Sequence, residues 1–261
     1  MRFTDKVVLV TGAASGIGLA AAQRFAEEGG LVAVNDLDLV AVNRVVEEIR
    51  AAGGAAVPLP GDVSDREWIE DAAERVISEH GAVDVLVNNA GVASHGEAET
   101  YDAWERVLSI DLSAPYYLAR TVARRSMIPR RQGAIVNVSS LAGLVGNPFD
   151  VGYVSAKHGV VGLTKALSIE WARYNVRVNC LCPGHTMTPI LAAVEAREPG
   201  KFAARAAKVP LGRAAKPHEQ AAAIVFLASD EASFITGTIM PVDGGQMALS
   251  SGWNPPPMAP L

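Results

Sequence analysis

Tyr153 and Lys157 stand four residues apart in Y-V-S-A-K, a spacing that sets a phenol and an ammonium on one face of a helix. A free phenol has a pKa of about 10 and accepts a proton poorly at neutral pH unless a nearby cation stabilises the phenolate. The chemistry expected of the pair is proton abstraction, with Tyr153 as the base and Lys157 as its charge partner. Y-x-x-x-K alone is more often one packed and one solvated helix residue. Its company strengthens the chemical reading: T-G-A-A-S-G-I-G at 11–18, N-N-A-G at 88–91 and the serine pair Ser139–Ser140.

The glycine segment follows the strand pattern V-V-L-V at 7–10 and opens a helical pattern, so Gly12, Gly16 and Gly18, with Ser15 and Ile17, form a turn at a helix N-terminus. Free N–H groups and the helix dipole favour a pyrophosphate there, and glycines let it approach the main chain. The spacing is G-x-x-x-G-x-G, so its placement after a strand carries the argument. Asp36, 18 residues beyond Gly18, is positioned to accept hydrogen bonds from an adenosine ribose diol and would repel a 2′-phosphate. Neither Ser15 nor the segment 35–38 offers an Arg or Lys to neutralise that phosphate, so NAD is expected over NADP. The competing role for Asp36 or Asp38 is capping the next helix. Asp62 and Val63, after a third strand pattern, are expected near the adenine, although Asp62 equally suits a turn.

Strand-like runs at 7–10, 31–35, 55–59, 83–88, 134–139, 176–181 and 238–242 alternate with helical patterns. Helices are expected at 18–28, 38–51, from Ser64 or Asp65 onward, between the fifth and sixth strands, and near 217–228. That alternation predicts an α/β fold: a Rossmann-type doubly wound parallel sheet of about seven strands with helices on both faces. One domain is expected over 1–250, with a Pro-rich extended tail over 251–261. Asp84, inside the fourth strand pattern, is expected to be structural.

With 49% hydrophobic and 20% charged residues, the 261-residue chain can bury one sizeable core. A net charge of −5 gives no basic field for nucleic acid or an anionic membrane, so a small molecule is the expected partner. No apolar run reaches the roughly 18 residues of a membrane span and no cleavable leader pattern opens the chain, so a cytoplasmic location is expected. Cys180-x-Cys182 suits neither a redox nor a zinc spacing, and the five histidines show no metal-ligand spacing; buried thiols and no metal are expected. The basic run R-R-S-M-I-P-R-R at 124–131 is expected to be a solvated helix end rather than a contact for nucleic acid or an acyl carrier.

Taken in order, the glycine segment, N-N-A-G, S-S followed by Y-V-S-A-K, P-G-H-T-M-T-P at 183–189 and I-T-G-T-I-M-P-V-D-G-G at 235–245 resemble the short-chain dehydrogenase/reductase family over nearly the whole chain. The resemblance implies reversible alcohol–ketone oxidoreduction with a nicotinamide cofactor, in a homotetramer. It implies that Tyr153 is the acid–base, that Lys157 lowers its pKa and holds the nicotinamide ribose, and that Ser140, 13 residues before Tyr153, orients substrate in preference to Ser139. By the same resemblance Asn88, Asn89, Ala90 and Gly91 line the adenosine side, while Pro183, Gly184, Thr186 and Thr188 contact nicotinamide and pyrophosphate. The family's asparagine in V-N-L is replaced by Asp111 in S-I-D-L. A carboxylate there would raise the pKa of Lys157 and partly offset its charge. Asp111 is expected either to serve as a relay variant or to be a polar helix residue bonded to backbone.

Substrate contacts are expected after Ser140, from Leu141, Leu144, Val145 and Asn147, and after Pro183, from His185, Met187 and Ile190, with Ser94 and His95 adding polar groups. Residues of about 189–211 have the length and charge of a lid. The expected activity is an NAD-dependent oxidoreductase of small or medium secondary alcohols. An NADPH-dependent 3-oxoacyl-thioester reductase is disfavoured by Asp36. A non-catalytic dinucleotide-binding regulator has no need of Ser140, Tyr153 and Lys157 together.

Overall fold

Alternate residues of the strands are apolar on both sides, and in the computed structural model this places the sheet between two helical layers. The structure describes residues 1–189, 195, 196, 200, 204 and 206–249. Seven strands, β1 (Val7–Val10), β2 (Leu31–Val34), β3 (Ala55–Pro58), β4 (Val85–Asn88), β5 (Gly133–Val138), β6 (Val176–Pro183) and β7 (Ile239–Val242), pair in parallel in the order β3-β2-β1-β4-β5-β6-β7. The chain runs outward from β1 to β3 and then restarts beside β1 with β4. A crevice therefore opens at the carboxyl ends of β1 and β4, where such sheets bind ligands.

The main helices are α1 (Gly16–Glu27), α2 (Leu39–Ala51), α3 (Arg66–His80), α4 (Trp104–Leu108), α5 (Ala114–Val122), α6 (Ile128–Arg130), α7 (Val151–Trp171) and α8 (Pro217–Ala228). On one face Phe25 of α1, Val45 of α2 and Ile224 of α8 pack with Val8, Val32 and Val136. On the other, Ile69 of α3, Leu118 of α5 and Trp171 of α7 pack with Leu9, Leu86 and Val178. Strands that are apolar on both faces are the mark of a sheet buried this way.

Several sequence alternatives resolve at helix ends. Asp38, not Asp36, caps α2, accepting from Val40 N at 2.9 Å and Ala41 N at 3.1 Å. Asp65, not Ser64, caps α3 through Glu67 N. Asp84 is structural: Oδ2 accepts from Val7 N at 2.9 Å and Oδ1 pairs with Arg130 at 2.5 Å, stapling β1 to α6. The basic run forms ion pairs rather than a merely solvated end, because α3 lies alongside. Arg124 and Arg125 bind Glu70, Arg125 also binds Glu74, and Arg131 donates to the Arg173 carbonyl.

At the far end of α1, Arg2 forks onto Glu28 at 2.5 and 2.7 Å while Arg24 adds a third contact at 2.6 Å. The hydrogen bonds from Arg2 chiefly hold the Glu28 carboxyl at about 2, below its ordinary 4.5. A depressed carboxyl stabilises the fold above its unfolded pKa and loses that contribution as pH falls through the folded value. The stability gap between the native chain and Glu28→Gln, read by urea unfolding, is expected to be full at neutral pH. It should shrink as pH drops from 4.5 toward 2.

Candidate active site

The turn after β1 is built around two left-handed glycines, Gly12 at φ 61° and Gly16 at φ 57°, a region that L side chains enter at a cost. Gly18 is needed for closeness instead: a Cβ there would lie 2.1 Å from the Gly12 carbonyl oxygen. This turn is strapped to the one after β4. Thr11 Oγ1 accepts from Asn89 N and Ala90 N, both at 3.0 Å, and Asn89 Nδ2 donates to the Thr11 and Gly12 carbonyls. Ser15 occupies the N-cap of α1 but its side chain makes no capping bond, leaving first-turn N–H donors facing the crevice. The cradle suits a phosphate group: open donors, a helix dipole and glycines where side chains would intrude.

Asp36 lies two residues beyond β2, and its carboxylate accepts from Ala14 N at 3.1 Å and Leu37 N at 2.8 Å while still lining the cleft. Arg44 of α2 reaches the Ala14 carbonyl at 3.3 Å, a cation beside this loop that the local sequence did not reveal; Glu48 pairs with it at 2.8 Å. Asp62 is both turn residue and cleft wall, accepting from Ser64 N and Ser64 Oγ at 2.8 and 2.7 Å.

Deeper in the cleft Tyr153 and Lys157 meet as their spacing predicts, with Lys157 Nζ 5.4 Å from the tyrosine ring centre. Lys157 is buried. Its ammonium donates to the Val138 carbonyl at 3.2 Å and pairs with Asp111 Oδ2 at 3.1 Å. Asp111 is fully buried in a π-helical turn, Ser109–Ser113, between α4 and α5, and its Oδ1 accepts from Val92 N at 2.8 Å. Burial acts most strongly on Lys157 and disfavours its charge, yet the Asp111 carboxylate, helped by Tyr153, outweighs it and holds the ammonium's pKa above its ordinary 10.5. Gly91 makes room for this pair: a Cβ there would stand 2.9 Å from Asp111 Oδ2 and 3.3 Å from Lys157 Nζ.

The two serines diverge as β-alternation requires. Ser139 is buried and donates to the Lys157 carbonyl at 2.8 Å, whereas Ser140 is partly exposed at the cleft, its Oγ accepting from Ala142 N at 3.1 Å. Cys180 and Cys182 are buried free thiols, their sulfurs 3.9 Å apart, and the contact with Cys182 together with burial pushes the Cys180 thiol well up.

The cleft has a volume of about 1820 Å³, more than a small substrate alone requires. Gly12, Ser15, Gly16, Ile17, Asp36, Asp62, Val63, Asn89, Ala90, Gly91, Pro183, Gly184, Thr186 and Thr188 line it, as do Ser94, His95, Asp111, Ser140, Leu141, Val145, Asn147, Tyr153, Lys157 and His185. Gly18 stands behind this wall, against Gly12 and Asn89.

Three expectations fail. Asn88 points into the core, donating to Asn137 Oδ1 at 2.8 Å and to the Pro115 carbonyl, because the last residue of β4 alternates away from the crevice. Leu144 packs on Val160, Cys180 and Cys182 instead of the cleft. Met187 is half exposed and is not part of the wall, its backbone N–H bonding the Ala215 carbonyl. Ile190 and most of the expected lid, together with the tail, lie outside the described residues. Sequence reasoning missed Thr11, whose hydroxyl binds across 79 residues to Ala90, and Asp150, which stands at the N-cap of α7 and lines the cleft.

A parallel doubly wound sheet with a glycine turn at its switch point defines a dinucleotide-binding α/β class, and the buried Lys157 beside Tyr153 adds proton-transfer chemistry to it. A family model described as enoyl-(acyl carrier protein) reductase matches residues 12–247. The chain is 41% identical over 251 residues to cis-4-hydroxycyclohexanecarboxylate dehydrogenase of Sinomonas cyclohexanicum, covering 95% of this chain and 98% of that one. It is 39% identical over 249 residues to a 3-oxoacyl-(acyl-carrier-protein) reductase of Thermotoga maritima, covering 94% and 99%. A solved structure from Beutenbergia cavernae, provisionally assigned as an NAD(P)-dependent gluconate 5-dehydrogenase and holding NADP at low occupancy, superposes with a TM-score of 0.90. It shares 38% identity and covers 94% of this chain and 98% of that one. The chain belongs to the short-chain dehydrogenase/reductase family.

Asp111→Ala strands a buried ammonium, a change of the kind that costs about 3–5 kcal/mol. Asp111→Asn keeps an acceptor for the Val92 N–H and a neutral neighbour for the ammonium, so its loss in urea unfolding is expected to be smaller.

Proposed function

We propose that this protein is an NAD-dependent dehydrogenase that interconverts secondary alcohols and ketones. The observation that carries the proposal is one cleft that holds the glycine cradle at one end and Ser140, Tyr153 and Lys157 together at the other. The cradle, Asp36 and the 183–188 loop would hold the dinucleotide, which when bound supplies the hydride acceptor for oxidation. Ser140 then orients the substrate oxygen. Tyr153 takes the hydroxyl proton in oxidation and returns it in reduction, and the Lys157 ammonium stabilises the phenolate that this requires. General base catalysis of this kind is worth about 10² to 10⁴-fold in rate, and fixing the alcohol in place supplies a further large share.

Two features bear on the nucleotide. The Asp36 carboxylate would repel a 2′-phosphate, and the neighbouring Arg44 cation is paired with Glu48. Both support NAD. The second possibility is NADPH-dependent reduction of a 3-oxoacyl thioester, favoured by the similarity to the Thermotoga reductase and by the NADP in the Beutenbergia structure. Comparing dissociation constants of NADH and NADPH by nucleotide fluorescence separates them: tighter NADH is expected, and tighter NADPH would reverse the assignment. A homotetramer is proposed as well, since Trp104, Tyr116 and Ile169 leave apolar surface exposed on α4, α5 and α7.

Tyr153→Phe is expected to cut turnover of a panel of secondary alcohols by at least about 10²-fold while NADH binding survives. Retained turnover would refute the role of Tyr153. For Asp111, the carboxylate that offsets Lys157 should hold back stabilisation of the phenolate. Asp111→Asn removes both that offset and the charge that keeps the buried Lys157 protonated, so it is expected to shift the oxidation pH–rate profile. If the Asn and Ala variants both keep the native profile, Asp111 has no part in catalysis.

A further inference from the structure

Four aspartates line the cleft, and one has no role in the scheme above. Asp36 and Asp62 sit on the turns after β2 and β3, and Asp111 is bound to Lys157. Asp150 remains. It occupies the N-cap of α7, where aspartate ordinarily accepts a hydrogen bond from a first-turn N–H. Here the side chain makes no such bond. Its Oδ1 lies 3.2 Å from His95 Nδ1 and its Oδ2 accepts from Asn147 Nδ2. His95 comes from the loop after β4 and Asn147 from the loop after β5, and both line the cleft.

The surrounding backbone is committed to this arrangement. Gly96 N donates to the Phe149 carbonyl at 2.9 Å, and the His95 ring packs 5.3 Å from the Phe149 ring. Phe149 itself has φ 65°, a left-handed conformation that bulky residues adopt at a cost. The two loops thus grip a carboxylate that is 18% exposed and turned to the substrate half of the cleft rather than to its own helix.

A carboxylate only accepts hydrogen bonds, and one neighbour on each oxygen leaves lone pairs for a further donor. Asp150 stands at the N-cap of α7 and Tyr153 in its first turn, three residues on, and both line the cleft. A substrate whose reacting hydroxyl meets Tyr153 can therefore offer a second hydroxyl to Asp150 a few carbons away, with its skeleton along Leu141, Ala142 and Val145. An anionic substituent at that place would be repelled.

We propose that Asp150, fixed by His95 and Asn147, is a specificity-determining residue that accepts a hydrogen bond from a second substrate hydroxyl, so that the substrate class is neutral diols and hydroxyketones. This rests on the dehydrogenase activity proposed above. The test compares kcat/KM for trans-cyclohexane-1,2-diol and cyclohexanol, with NAD and with NADP, using the full chain. Hydrogen bonds to charged groups predict a diol preference of about 10- to 100-fold. Asp150→Ala should bring the ratio toward one, chiefly through the KM of the diol, with Asp150→Asn between the two. Thermal unfolding and NADH fluorescence identify folded variants. Should Asp150→Ala not fold, Asn147→Ala, which frees one carboxylate oxygen from its anchor, must lower the ratio.

A native ratio near one, or a ratio unchanged in the folded variants, overturns the proposal while leaving the dehydrogenase intact. So does a stronger preference for trans-2-aminocyclohexanol, which would make the partner an ammonium. Oxidation of none of these alcohols with either nucleotide overturns the dehydrogenase assignment itself.

Discussion

Lys157 and Asp111 form an ion pair shut away from solvent, and four separate parts of the chain converge on it. The ammonium comes from α7 and also holds the end of β5 through the Val138 carbonyl. The carboxylate comes from the π turn between α4 and α5 and holds the loop after β4 through Val92 N. Taking two charges out of water is expensive, and a pair of apolar residues would often stabilise a core as well or better. What an apolar pair cannot do is keep a positive charge next to Tyr153. The ion pair therefore makes sense as a device for the site, with the stability of the fold supplied by the two apolar layers on either side of the sheet.

The polar groups around the pair follow the same logic. A π turn inserts an extra residue into a helix and redirects the side chain it carries, and here that side chain is Asp111. Gly91 is the complementary adjustment, since any side chain at that position would press on both members of the pair. Behind them, Asn88, Asn137 and Thr164 form a buried relay of hydrogen bonds from β4 through β5 to α7. These bonds tie together the elements that carry the site, while Asn88 Oδ1 finds no partner among the described residues. The part of the cleft around Ser140 and Asp150 is different in kind. It is made of loops, joined by the His95–Asp150–Asn147 contacts, and loops are where relatives on one scaffold diverge in what they accept.

Much of this was legible before folding. Short continuous apolar runs mark every strand to within one or two residues, because a sheet buried on both faces needs uninterrupted apolar sequence. The glycine turn is legible for a similar reason: few residues other than glycine tolerate φ near 60° beside a closely approaching backbone. Tyr153 and Lys157 share a helix, so their separation of four is itself a distance. Failures cluster where a side chain's direction depends on the exact register. Asn88 and Asn89 differ by one position and face opposite ways, and Leu144 turns toward the Cys180–Cys182 floor because the short helical turn after Ser140 rotates it there.

Local sequence, then, settled the kind of fold, the cofactor turn and the phenol–ammonium pair, since each depends on residues near one another along the chain or on a repeating period. Asp150 and the complete burial of Asp111 were beyond its reach. Asp150 occupies the N-cap of α7, yet its carboxylate meets Asn147 and His95, the latter 55 residues earlier in the chain. For Asp111 the sequence left open a relay variant near Lys157 or a polar helix residue bonded to backbone, and the assembled fold makes both contacts, to Lys157 and to Val92 N. Electrostatic partners across such separations are chosen by packing, and packing is a property of the assembled sheet and its helices.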